Sequence, residues 1–171
     1  MKKLFFIVAL FLPTLPVISH SVSLPVQQAA ARGTATVSEL ANVVFAALQN
    51  NDFEQLPLYV PTDTELSSLQ KKSSEDMQAV LQDLTADDVT ASLRESFDAV
   101  IQAGVDKTLN LAELTLGDVR AGNASSKNKA LIPVTATLTT RDNQPLALRF
   151  EALKINGRYF LFQRMEWQAS K

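Results

Sequence analysis

RFEALKINGRYFLFQRMEW, residues 149–167, is the stretch that decides the fold. Asn156-Gly157 stands between two runs rich in apolar and aromatic residues. A two-residue hairpin turn of type I′ needs positive φ at both central positions, which Asn and Gly adopt most readily. Such a turn sets Ile155 opposite Arg158, and the remaining pairs follow by counting. Lys154 meets Tyr159, Ala152 meets Leu161, Phe150 meets Gln163, Leu148 meets Met165 and Leu146 meets Trp167. This face is apolar except at Gln163 and at the turn, so it is expected to pack on helices. The opposite face carries Arg149, Glu151, Arg164 and Glu166, spaced for cross-strand ion pairs of modest worth. Nearer the turn that outer face becomes apolar, with Leu153, Ile155, Phe160 and Phe162. A slip of one residue would invert both faces, so the turn is what defines them.

Working outward, KALIPVTATLTT (129–140) is rich in β-branched residues and reads as the preceding strand. An even connection through residues 141–144 would place Thr135, Thr137 and Thr139 on the core face. An odd one would place Val134, Ala136 and Leu138 there, and is expected because it buries the apolar set. Leu109–Val119 is expected to hold one more strand. Upstream the periodicity turns helical. Thr36-Val37-Ser38-Glu39 is a capping box that opens a helix over 37–50, with Val37, Leu40, Ala41, Val44, Ala47 and Leu48 on one face. Phe53–Val60 reads as a turn of helix and a short extended piece. Thr62 and Glu65 form a second capping box for a helix to about Lys72, and a short helix follows over 74–84. Thr85 opens the longest helix, with Val89, Leu93, Phe97, Val100 and Ile101 in line and Gly104 placed to end it. Helices followed by an antiparallel meander define an α+β protein, with N-terminal helices packed on an antiparallel sheet.

The N-terminus has the layout of a secretory signal peptide. Met1-Lys2-Lys3 is basic, Leu4–Leu15 is almost wholly apolar, and Ser19-His20-Ser21 is a small-x-small site. The apolar run is too short for a spanning helix, which needs roughly 20 residues. Cleavage is expected after Ser21, with a second option after Ala31, and the protein is expected in the periplasm or outside the cell with no membrane span. Residues 1–21 are then the signal, 22–35 a mobile N-terminal lead and 36–168 a single domain. There is no cysteine and the one histidine is His20. The chain beyond the signal therefore lacks thiol nucleophiles, His-based triads and Cys/His zinc sites, and no cofactor or metal is expected. The acidic residues Glu75, Asp76, Asp83, Asp87 and Asp88 lack the spacing and the glycine of a calcium loop and read as solvated helix ends. Loss of Lys2 and Lys3 takes the formal charge from −2 to −4, which disfavours a nucleic-acid partner. Asn123-Ala124-Ser125 matches a glycosylation acceptor but carries little weight behind a bacterial-type signal.

Two segments resemble the nuclear-transport-factor-2-like (NTF2-like, cystatin-like cone) superfamily. ANVVFAALQNNDFEQLPLYV (41–60) resembles its opening helix and the turn after it, and RFEALKINGRYFLFQRMEW (149–167) resembles its closing hairpin. The resemblance implies a curved sheet and a cone-shaped pocket. That superfamily includes ketosteroid-isomerase-like enzymes. It also includes non-catalytic ligand-binding and assembly modules, often dimers that pair through the sheet. The isomerase-type relatives use a pocket aspartate with a tyrosine and an acidic donor. Tyr59 and Tyr159 are placed near such a pocket, but no aspartate of the late strands points inward.

Two sets of candidate residues follow. Tyr59, Phe97, Tyr159, Gln163 and Trp167 are the candidates for a pocket taking a small hydrophobic ligand. Against that, inward aromatics are most often plain core, and Gln163 is most simply a satisfied buried amide. Leu153, Ile155, Phe160 and Phe162 form an apolar outer patch. Either residues 22–35 or a long loop cover it, or it is an interface for a homodimer or a protein partner. The expected function is a non-enzymatic binding or assembly module acting through its sheet. A hydrophobic-ligand carrier is the alternative, and a ketosteroid-isomerase-like enzyme a weaker one.

Overall fold

A computed structural model describes residues 32–124 and 128–168. The signal peptide, both cleavage options, residues 22–31 of the lead and Ser125 of the glycosylation triplet lie outside these residues. The elements are α1 (Val37–Asn50), α2 (Asp63–Gln70), α3 (Glu75–Leu81), α4 (Ala86–Asp106), β1 (Thr115–Ala121), β2 (Leu131–Thr139), β3 (Pro145–Ile155) and β4 (Arg158–Gln168). The strands form one antiparallel sheet in the order β1-β2-β3-β4. The protein is thus α+β, with four helices ahead of a four-stranded open meander.

The helix starts follow from their caps. Thr36, Thr62 and Thr85 each accept a backbone N–H three residues on, and Glu39, Glu65 and Asp88 reach back to the cap. These reciprocal bonds satisfy N–H groups that a helix end otherwise leaves unpaired. The Thr85 hydroxyl and N–H hold the Asp88 carboxyl below the usual aspartate range. Gly104 does not end α4. It is buried inside the last turn, where a Cβ would meet Leu111 at 3.1 Å. The stop is instead a Schellman arrangement, in which Leu109 N–H donates to Gly104 O and Thr108 N–H to Val105 O. Thr108 takes the left-handed position, φ 56°. That stop turns the chain through 109–114, with a 3-10 turn at Leu111–Glu113, so β1 begins at Thr115 and not at Leu109. Phe53–Tyr59 likewise forms two successive 3-10 turns and no extended piece.

The β3–β4 turn is as expected: Asn156 and Gly157 have φ of 49° and 81°, and Ile155 pairs with Arg158. The β2–β3 connection is odd, spanning residues 140–144. It pairs Val134 with Phe150, Ala136 with Leu148 and Leu138 with Leu146. One register differs from expectation. Between Ala152–Leu161 and Phe150–Met165, Glu151 alone faces the bulged residues 162–164. Beyond this bulge Phe150 meets Met165 rather than Gln163, and Leu148 meets Trp167. The shift replaces an amide by a thioether opposite a buried phenyl ring and leaves Gln163 half-buried in the bulge. Because the slip is even, the faces are not exchanged.

The core lies between the inner sheet face and the helices. Leu40, Val44 and Leu48 of α1, Val89, Leu93 and Phe97 of α4, and Val134, Leu138, Leu148 and Phe150 of the sheet are at most 2% exposed. α4 packs against β4. No helix among the described residues is long and apolar enough to cross a membrane.

Candidate functional site

The five pocket candidates do not converge on one cavity. Phe97 is fully buried, its ring edge-on to Phe53 with centroids 5.6 Å apart. Trp167 is half-buried and its indole N–H donates to Val100 O at 2.9 Å, which ties β4 to α4. Tyr159 lies eight residues away along β4, roughly 25 Å at strand rise. It exchanges backbone bonds with Thr34 and lies beneath the Lys154 ammonium, 5.4 Å from the ring centroid. Tyr59 is half-buried in the second 3-10 turn, on the side of the chain where Gly33 N–H donates to Leu58 O. Tyr59 and Tyr159 are therefore drawn to one region, Phe97 and Trp167 belong with α4, and Gln163 stands apart in the bulge. Among the described residues Thr34 is the only buried polar one, and every aspartate and glutamate is half-buried or exposed.

The outer apolar patch is not a surface. Leu153, Ile155, Phe160 and Phe162 are 0–3% exposed and belong to the main core. Their cover comes from far along the chain. Arg32–Ala35 forms a strap across the free edge of β4, so these four residues are not a mobile lead. Thr34 N–H and C=O both pair with Tyr159, at 2.9 Å each. The Arg158 guanidinium donates to Arg32 O and to Gly33 O, and the Arg32 guanidinium donates to Pro57 O and Val60 O. Gly33 has φ 65°, and a Cβ there would lie 2.8 Å from the Phe160 ring. Only glycine combines that backbone with that approach. Leu66, Leu69, Met77 and Leu81 of α2 and α3 join the same cluster. Toward the turn, Ala152 and Leu161 on one face and Leu153, Ile155 and Phe160 on the other are thus all buried, while Lys154, Asn156 and Gly157 at the tip are exposed.

The remainder of the outer face is open. One row crosses all four strands: Arg120, Thr135, Arg149 and Glu166 are successive cross-strand partners. The next row holds Thr137, Ala147 and Gln168, and the next Thr115, Thr139 and Pro145. The charged residues of these rows are exposed and the small central ones half-buried. The bulge borders this surface. Arg164 there has φ 51°, an uncommon conformation for a non-glycine residue, and with Arg149, Glu151 and Glu166 it rims a small charged hollow. The bulge is the feature of this face that sequence reading missed. Its one signal was Gln163, a polar residue on an otherwise apolar face.

The chain matches no protein-family model, no curated protein and no solved structure. The class that fold and surface define is an α+β domain with a filled interior and a half-open sheet.

Proposed function

We propose that this protein is a non-enzymatic assembly module that pairs with a second copy through the open half of its outer sheet face. The carrying observation is the row Arg120–Thr135–Arg149–Glu166. It is positive at one end, negative at the other and uncovered. A two-fold axis parallel to the strands, between β2 and β3, sets Arg120 against Glu166 of the partner subunit, and Glu166 against the partner's Arg120. The same operation sets Thr137 against the partner's Ala147 and Thr139 against the partner's Pro145. Small side chains at the centre suit the ~10 Å separation of stacked sheets, and a two-fold contact must be self-complementary. Edge-to-edge pairing is disfavoured. β1 is broken by a bulge at Gly117-Asp118 and carries the Asp118–Arg120 ion pair, and β4 is covered by the strap and α4.

The finer parts of this reading are a cone-shaped, NTF2-like sheet and export to the periplasm or beyond behind a signal peptide. They are supported by the helices-then-meander order and by the layout of residues 1–21. The carrier alternative finds less support, because large buried side chains occupy the space between helices and sheet.

The open face is about four strands wide and six residues long, smaller than the standard specific interface, so the association is expected to be weak and reversible. Thr137→Arg places a long cation at the centre of the contact. Sedimentation equilibrium is expected to show a concentration-dependent dimer for the natural chain and a monomer of unchanged thermal stability for the variant. A monomer for both at every concentration overturns the reading.

A further inference from the structure

We infer that Asn156 is a site of spontaneous deamidation whose isoaspartate product releases the strap from the edge of β4. The site lies apart from the open half of the sheet and does not depend on the dimer.

Asn156-Gly157 is the only Asn-Gly pair in the chain. A glycine on the C-terminal side leaves the next backbone nitrogen free to approach the amide carbon. Both residues are exposed, and nothing lies within 4 Å of the place a Gly157 Cβ would take. An exposed hairpin tip opens locally far more often than the sheet behind it. In the opened turn the Gly157 nitrogen bonds to Asn156 Cγ and the Cγ–Nδ2 bond breaks. The Gly157 amide proton leaves with that nitrogen as ammonia. Water then opens the succinimide at one of its two carbonyls. Breaking the new N–Cγ bond gives aspartate. Breaking the original peptide bond gives isoaspartate, whose main chain runs through Cβ and Cγ.

The two products differ at the turn. Aspartate keeps the type I′ geometry, because Asp-Gly adopts it as Asn-Gly does. Isoaspartate adds a methylene to the main chain between Ile155 and Arg158, which a two-residue loop of this type does not accommodate. Ile155 pairs with Arg158 across this turn, and the Arg158 guanidinium is what holds Arg32 O and Gly33 O. The next residue, Tyr159, makes both backbone bonds to Thr34. Displacing Arg158 therefore loosens the strap along its whole contact with β4.

The test is to age the full chain at mildly alkaline pH and map the tryptic peptide 155–158, which separates the asparagine, aspartate and isoaspartate forms. Asn156 is expected to react ahead of every other asparagine. In the isoaspartate fraction the Thr34 and Tyr159 amides are expected to exchange hydrogen at least about tenfold faster, with Val100 of α4 unchanged. Freshly prepared Asn156→Asp should keep the exchange rates of the natural chain. Asn156→Gly retains the turn without an amide and should not age. Faster reaction at any other asparagine overturns the proposal. So does an isoaspartate fraction in which Thr34 stays protected, or one in which Val100 loses protection equally. An Asn156→Asp variant that loosens as much as isoaspartate overturns it as well.

Discussion

Phe162 shows how far a single residue can be read from its strand. Alternation along β4 places it on the outer face with Leu153, Ile155 and Phe160, and the Leu153–Phe160 and Ile155–Arg158 pairs keep the regular register up to the bulge that begins at Phe162. Whether that face meets water is decided elsewhere, by a strap whose Gly33 approaches Phe160 across more than a hundred residues of chain. Local periodicity carries no record of such a cover. Phe162→Ala is expected to destabilise the protein by about 3–5 kcal/mol, as for other buried aromatic truncations. Chemical denaturation measures it, and a loss below about 1 kcal/mol would return Phe162 to the surface. Gln163 taught the converse. Its polarity on an apolar face was legible, but the bulge that removes it from opposite Phe150 was not, because a regular ladder is the default when only one strand is counted.

At the level of elements, α4 shows what local chemistry determines. Its start is written in Thr85 and Asp88, whose bonds are short-range and therefore readable. The folded-state pKa of Asp88 lies below its unfolded value. Its contribution to stability is thus complete at neutral pH and fades as the pH falls through the ordinary aspartate range toward that lowered value. Thr85→Ala should move the Asp88 pKa up toward the ordinary value in an NMR carboxyl titration, and an unmoved pKa would remove the capping box as its cause. The end of α4 was misread because Gly104 looks like a stop, whereas the left-handed position falls at Thr108. A β-branched residue is strained there. Thr108→Gly is expected to stabilise the protein by about 0.5–1 kcal/mol, read from the denaturation midpoint at unchanged slope. Destabilisation would mean that the threonine side chain contributes more than its backbone strain costs. The same stop explains why β1 begins six residues later than the apolar pattern from Leu109 implied.

For the whole molecule, the order of helices and strands and the inward faces of β2 and β3 were legible, since both follow from patterning that repeats every few residues. The burial of Leu153, Ile155, Phe160 and Phe162 and the open half beyond the bulge were not, since they depend on how distant segments wrap the sheet. That division moves the expected contact surface. It leaves Leu153, Ile155, Phe160 and Phe162 in the core and puts Arg120, Thr137, Arg149 and Glu166 on the face that remains free. The pairing proposed for that face is tested most directly by a charge-swap cycle read by sedimentation equilibrium across the micromolar range. Arg120→Glu alone sets like charges against the partner's Glu166, and Glu166→Arg alone does the same against the partner's Arg120. Each is expected to weaken the dimer at least tenfold, and the two together to restore it. A natural chain that stays monomeric, or a double variant no better than either single one, would contradict the account.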